Sequence, residues 1–228
     1  MNEADKLQLQ LDVRNVQISS AQRIGAVAAT GAIVTHAENI DDEDLTKHFD
    51  ALREFLRPLK MTTGSYFAGS LLYNVISQTE IAFVEVIRLV LSYYPKKIGS
   101  IEFKLSEVVD KPRQEILLAA ADRYLNSLMY KRPTEYLSEL CKILSINKEN
   151  LEECWGDFIE AKARRDLGIH NAWVVNETYI RKVAEVGETH IAEVGENICP
   201  EHDNIHRVMP KCEHLVNALC DQIILKYA

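Results

Sequence analysis

Residues 164–179 read RRDLGIHNAWVVNETY. Arg165, Asp166 and His170 are the closest-set group in the chain able to do chemistry. An arginine is a permanent planar cation that fits phosphate. Histidine is the side-chain type that exchanges protons near neutral pH, and His170 is the nearest one. Asp166 and His170 are four residues apart and share a helix face, so the carboxylate can orient the imidazole. Arg165 and His170 are five apart, roughly 140° around an ideal helix, so they flank a groove rather than stack. Such a set suits phosphodiester chemistry. A base takes the proton of a ribose 2′-hydroxyl, an acid protonates the departing 5′-oxygen, and the guanidinium offsets charge on the phosphorane. That chemistry needs no metal and no cofactor.

The element that must position these groups is a helix over about 147–171, capped by Asn147 with acids just after it. Leu151, Cys154, Trp155, Phe158 and Ile159 recur at steps of three and four and predict an apolar stripe. The same steps then reach Lys162, Arg165, Asp166, Ile169 and His170. Burying such groups without partners costs several kcal/mol. Two arrangements follow. Either this end reaches solvent, with surface pairs such as Lys162 with Asp166, or the stripe opens into a cleft or subunit interface. Gly168 lies inside the set, lowers helix stability by about 1 kcal/mol relative to Ala, and leaves room for a backbone or a phosphate.

Arg165-Asp166-x-x-x-His170 followed by NAWVVNETY resembles the Arg-x4–6-His motif of the HEPN superfamily. A polar residue follows the arginine, Asn171 follows the histidine, and Asn176 and Tyr179 lie downstream as in many members. The specific match covers about 16 residues. The resemblance implies a helical-bundle core and a metal-independent endoribonuclease. It assigns Arg165 to the scissile phosphate, His170 to acid or base work and Asp166 to positioning. Lys162, Arg164, Asn171, Asn176 and Tyr179 are the expected substrate-binding groups. Members pair two motifs across a two-fold interface, so one motif per chain implies a homodimer. That agrees with the need for two groups, acid and base, where one protomer offers a single histidine. Members often act as toxins or in defence against phage, under control of an antitoxin or sensor protein. Arg207 and His214 satisfy the same loose spacing, but Val208 stands where a polar residue is expected and Pro210 lies between them.

Around this helix the sequence predicts an all-α protein in one HEPN-like domain, with residues 1–60 as accessory helices and 63–228 as the bundle core. Helices are expected over 3–36, with apolar positions Leu7, Leu11, Ile18, Ile24, Val27 and Ile33. Others follow from Asp41 or Asp42 through Arg57, over 63–94, 112–130, 133–144 and 175–185, and over 204–226. SIEFKLS alternates like a short strand, without an evident partner. The twice-repeated AEVGE before the last helix reads as an irregular loop or small hairpin.

The 228 residues are 47% apolar, with only 9 Gly and 6 Pro, a composition that favours helices. A net charge of −8 argues against general affinity for nucleic acid and confines any RNA contact to a local basic site. No uncharged apolar span of about 18 residues occurs, so no membrane partner is expected. Five dispersed cysteines, and no signal-like N-terminus, lead to the expectation of a reduced, cytoplasmic protein.

Cys199, His202, His206, Cys212 and His214 are zinc-ligand types, but their spacing does not fit paired knuckles, and a polar loop entering the last helix is the preferred reading. Trp155 belongs to the apolar stripe. Trp173 is more open, and stacking on a base competes with packing for it. There is no Gly-rich phosphate loop and no His-Glu-x-x-His. Besides the nuclease, two functions stay open: a catalytically inactive HEPN-like module that binds RNA or a nucleotide or dimerises, and a helical interaction protein.

Overall fold

Helix starts and stops follow local chemistry. A computed structural model describes residues 2–37, 39–59, 61–99, 101–187 and 192–227. Helix α1 (Glu3–Ala37) runs unbroken through Gly25. Helix α2 (Glu43–Leu56) is capped by Asp42, whose carboxylate accepts from the Leu45 N–H at 2.9 Å. A 3₁₀ turn, Arg57–Leu59, follows it. Helix α3 (Thr63–Tyr93) ends before Pro95, which lacks the N–H a continuing helix would use. Helices α4 (Leu105–Val108), α5 (Arg113–Met129) and α6 (Pro133–Leu144) come next, Pro133 standing at the first helical position. Helices α7 (Glu149–Asn171), α8 (Glu177–Glu185) and α9 (His202–Lys226) complete the chain. The protein is all-α, and among the described residues β-pairing is limited to one antiparallel bridge, Val174 with Asn197. No described helix is long and apolar enough to cross a membrane.

The 101–106 stretch forms no strand. Arg123 grips it instead, donating to the Glu102 carbonyl at 2.5 Å and lying 4.3 Å over the Phe103 ring. One expectation, the packed face of α1, is corrected. The buried side of α1 carries Leu9, Val13, Gln17, Ser20, Ile24 and Val27, while Leu7, Leu11, Ile18 and Ile33 are exposed. Apolar residues occur all round this helix, so periodicity alone does not choose its packed face. Glu188 of the first AEVGE copy and residues 189–191 lie outside the described residues. The second copy is an irregular loop, as expected, tied to the α7–α8 link: Val175 donates to the Glu196 carbonyl at 2.8 Å and Ile198 to that of Trp173 at 2.9 Å.

The chain divides into two compact units. One comprises Met1–Ser19, Glu80–Glu153 and Leu215–Ala228; the other comprises Ser20–Thr79 and Cys154–His214. In the first, Phe83, Ile87, Leu140, Leu144 and Leu219 are buried. Polar ties fix its helices: Arg88 donates through two nitrogens to Asp122, and Gln17 reaches Asn217 and Asp221. In the second, Leu72, Ile76, Trp155, Phe158, Val208 and Cys212 are buried. The motif of residues 164–179 belongs wholly to this unit.

Candidate functional site

Past Ile159 the packed side of α7 passes through Glu160, Ala163 and Leu167, all under 7% exposed. It does not follow Lys162, Arg165, Asp166, Ile169 and His170; Ile169 is 56% exposed and His170 is exposed too. From Ile159, steps of three and four lead equally well to 162 and 163. Side-chain chemistry decides, because Ala163 and Leu167 can join a core with Val175, Tyr179 and Val183 and charged groups cannot. The α7–α8 pair is built on that core.

Beside it lies a cavity of about 220 Å³, lined in part by Asp166, His170, Asn176, Thr178, Tyr179 and Lys182. Four of the expected site residues therefore share one concavity. Arg165 is not among the lining residues; its Nη2 and Nε lie 3.0 and 3.2 Å from Asp166 Oδ1, and the side chain is only 14% exposed. Lys182 Nζ donates to Asp166 Oδ2 at 3.0 Å. Asp166 thus bridges two cations, one per carboxylate oxygen, rather than holding the imidazole. The exposed His170 imidazole makes no hydrogen bond among the described residues, and it lines the cavity. Lys162 is half-buried and is not part of the cavity wall.

The other expected substrate-binding groups hold the scaffold. Arg164 donates to Glu160 Oε1 through Nε at 2.8 Å and Nη2 at 2.6 Å, and to the Ile198 carbonyl at 3.2 Å. The Tyr179 hydroxyl donates to the same Glu160 oxygen at 2.7 Å, and burial, then the Glu160 charge, push its pKa up. Asn171 closes α7 by donating to the Val174 carbonyl at 2.6 Å. Asn176 caps α8, its Oδ1 accepting from the Tyr179 N–H at 3.0 Å. Arg207 faces Asp157 and Glu160 at 3.6 and 3.8 Å, an ordinary ion-pair role for the second motif-like arginine.

Gly168 is required by packing. A Cβ there would fall 2.6 Å from Trp173 ring atoms and against the Tyr73 hydroxyl. The space expected for a backbone or a phosphate is filled by the indole. Trp173 is 5% exposed and stacks on Tyr73, with ring centroids 5.4 Å apart, so it packs and is not open for a base. Ala172 and Trp173 adopt left-handed backbone, φ 48° and 66°, which costs of order 1–3 kcal/mol each. The buried indole and the Ile198–Trp173 hydrogen bond hold that turn. The Tyr73 pKa is raised, chiefly by burial and then by Cys199, while the Arg165 charge opposes the rise.

Lys182 is the site residue that sequence reasoning missed. Asn176, Tyr179 and Lys182 recur at steps of three along α8, so the face that carries the first two continues to the third. The Cys/His-rich segment makes no metal centre: among the described residues no three His, Cys, Asp or Glu side chains are grouped to hold an ion. No family model, no curated protein and no solved structure matches this chain.

Proposed function

We propose that this protein is a metal-independent endoribonuclease acting as a homodimer. The observation that carries the reading is the shared cavity: a proton-transfer group, His170, in the wall of a concavity that holds Lys182, with Arg165 joined to it through Asp166. Two cations pair with one carboxylate here, and a phosphate offers oxygen acceptors of the same kind to them. In the proposed reaction a base accepts the 2′-hydroxyl proton, O2′ attacks phosphorus, and the P–O5′ bond breaks. An acid then protonates O5′, leaving a 2′,3′-cyclic phosphate and a 5′-hydroxyl. Arg165 and Lys182 offset phosphorane charge, and Asp166 keeps both cations aimed at one place.

Acid and base are two roles, and this cavity has one imidazole. His170 is exposed, so a second copy can bring its own His170 to the same RNA across a two-fold axis. An intracellular toxin or defence role under an antitoxin or sensor fits such an enzyme. The test is incubation of purified protein with RNA in EDTA. Cleavage should fall at least about 100-fold in Arg165→Ala and in His170→Ala. Undiminished cleavage by both variants would remove these residues from the mechanism. RNA binding without any cleavage would favour the inactive binding module.

A further inference from the structure

The unit that carries the motif has a second, larger concavity. It measures about 460 Å³ and is bounded by the C-terminal half of α1, by Leu71 of α3, and by the first turns of α9. That volume lies within the about 300–1,000 Å³ typical of small-molecule sites. Its walls are mostly apolar, from Ala32, Leu71, Ile205 and Met209. Gly31 makes the close fit of α1 and α3 here, since a Cβ would stand 2.9 Å from Leu71 Cδ1. His202 Nε2 lies 3.2 Å from Thr35 Oγ1, and the His202 and His206 rings meet edge to face at 4.4 Å; His36 also lines the cavity. Although the chain carries a net charge of −8, no Asp or Glu lines this cavity among the described residues.

We propose that this cavity binds a small amphiphile: an apolar body against Leu71, Ile205 and Met209, and an acidic head group against the paired rings of His202 and His206. Every imidazole carries at least one N–H in either tautomer, so the pair offers donors to one anionic group. Among the described residues of its wall, a basic or cationic head would find no carboxylate to meet it. A neutral apolar molecule would leave the donors facing nothing. The site is separate from the cavity beside Asp166, and the two share no wall residue.

The probe is decanoate, with decanol as its neutral counterpart, titrated calorimetrically into the full chain. Saturable binding of one decanoate per chain is expected, at least tenfold tighter than decanol. Ala32→Phe places bulk in the cavity from an exposed position and should weaken both ligands at least tenfold. His202→Ala with His206→Ala should weaken decanoate at least tenfold and leave decanol within twofold. Circular dichroism checks that each variant keeps the parent helicity; these positions are exposed, so it should. No saturable decanoate binding, or equal affinity for decanol, would overturn the proposal. So would a change in sedimentation coefficient caused by Ala32→Phe, because that face would then be an interface between copies.

Discussion

Asp166 decides how the site behaves as a set of residues. One oxygen holds Arg165 and the other Lys182, so a phosphate entering the cavity would meet Lys182 at its wall with Arg165 one carboxylate away. If Lys182 then moves to RNA phosphate, its loss is readable apart from folding. Lys182→Gln should lower the slope of log binding constant against log salt by about 0.7, the single-strand value per phosphate. Because Lys182 is assigned to the phosphorane charge, kcat should fall severalfold as well, and Lys182→Arg should restore both. An unchanged slope would remove Lys182 from the RNA contact. Arg164→Ala is a poor probe of catalysis, because it would leave Glu160, 6% exposed, without its closest cation. Residue types and spacing singled out Arg165, Asp166 and His170, with Arg165 preferred to Arg164 because Asp166 then follows it. The partners that commit Arg164, Glu160 and the Ile198 carbonyl, were not legible, because they converge only in the fold.

At the scale of elements, the α7–α8 corner is held by one buried indole lodged against two glycines. A Cβ at Gly69 would stand 2.9 Å from Trp173, and one at Gly168 closer still. Gly168→Ala gains about 1 kcal/mol of helix propensity and must displace Trp173 from its stack on Tyr73. Overpacking of this kind costs about 1–3 kcal/mol, and here it also strains two left-handed residues. The expected outcome is a net loss of stability of about 1–2 kcal/mol in urea unfolding; a variant as stable as the parent would contradict this packing account. Helix positions were largely legible, because Asp42, Pro95, Pro133 and Asn176 mark ends by local chemistry. Helix faces were less so. On α1 the apolar residues are spread around the axis, and on α7 two step patterns competed until the α8 core selected one.

For the whole molecule, a net charge of −8 would confine the proposed RNA contact to the local cations of the site. Stability has its own charge dependence. Burial pushes the Cys212 and Cys220 thiols up to about 12 and Cys141 to about 11. An unfolded thiol titrates near about 8.5. The native state therefore holds protons that the unfolded state gives up, and the sign of linkage is loss of stability with rising pH. This contribution is intact below about pH 8.5 and fades as pH climbs toward the native values. Urea unfolding between pH 8.5 and 11 should show the decline, and Cys212→Ala should flatten it by up to about 1.4 kcal/mol per pH unit; an identical slope would contradict the thiol assignment. The central claim is chemical and is tested by the ends of the cut RNA. Purified protein incubated with RNA in EDTA should leave 2′,3′-cyclic phosphate and 5′-hydroxyl ends, with none formed by His170→Ala. Ends bearing 5′-phosphate, or the same cyclic ends from the His170→Ala protein, would contradict the account.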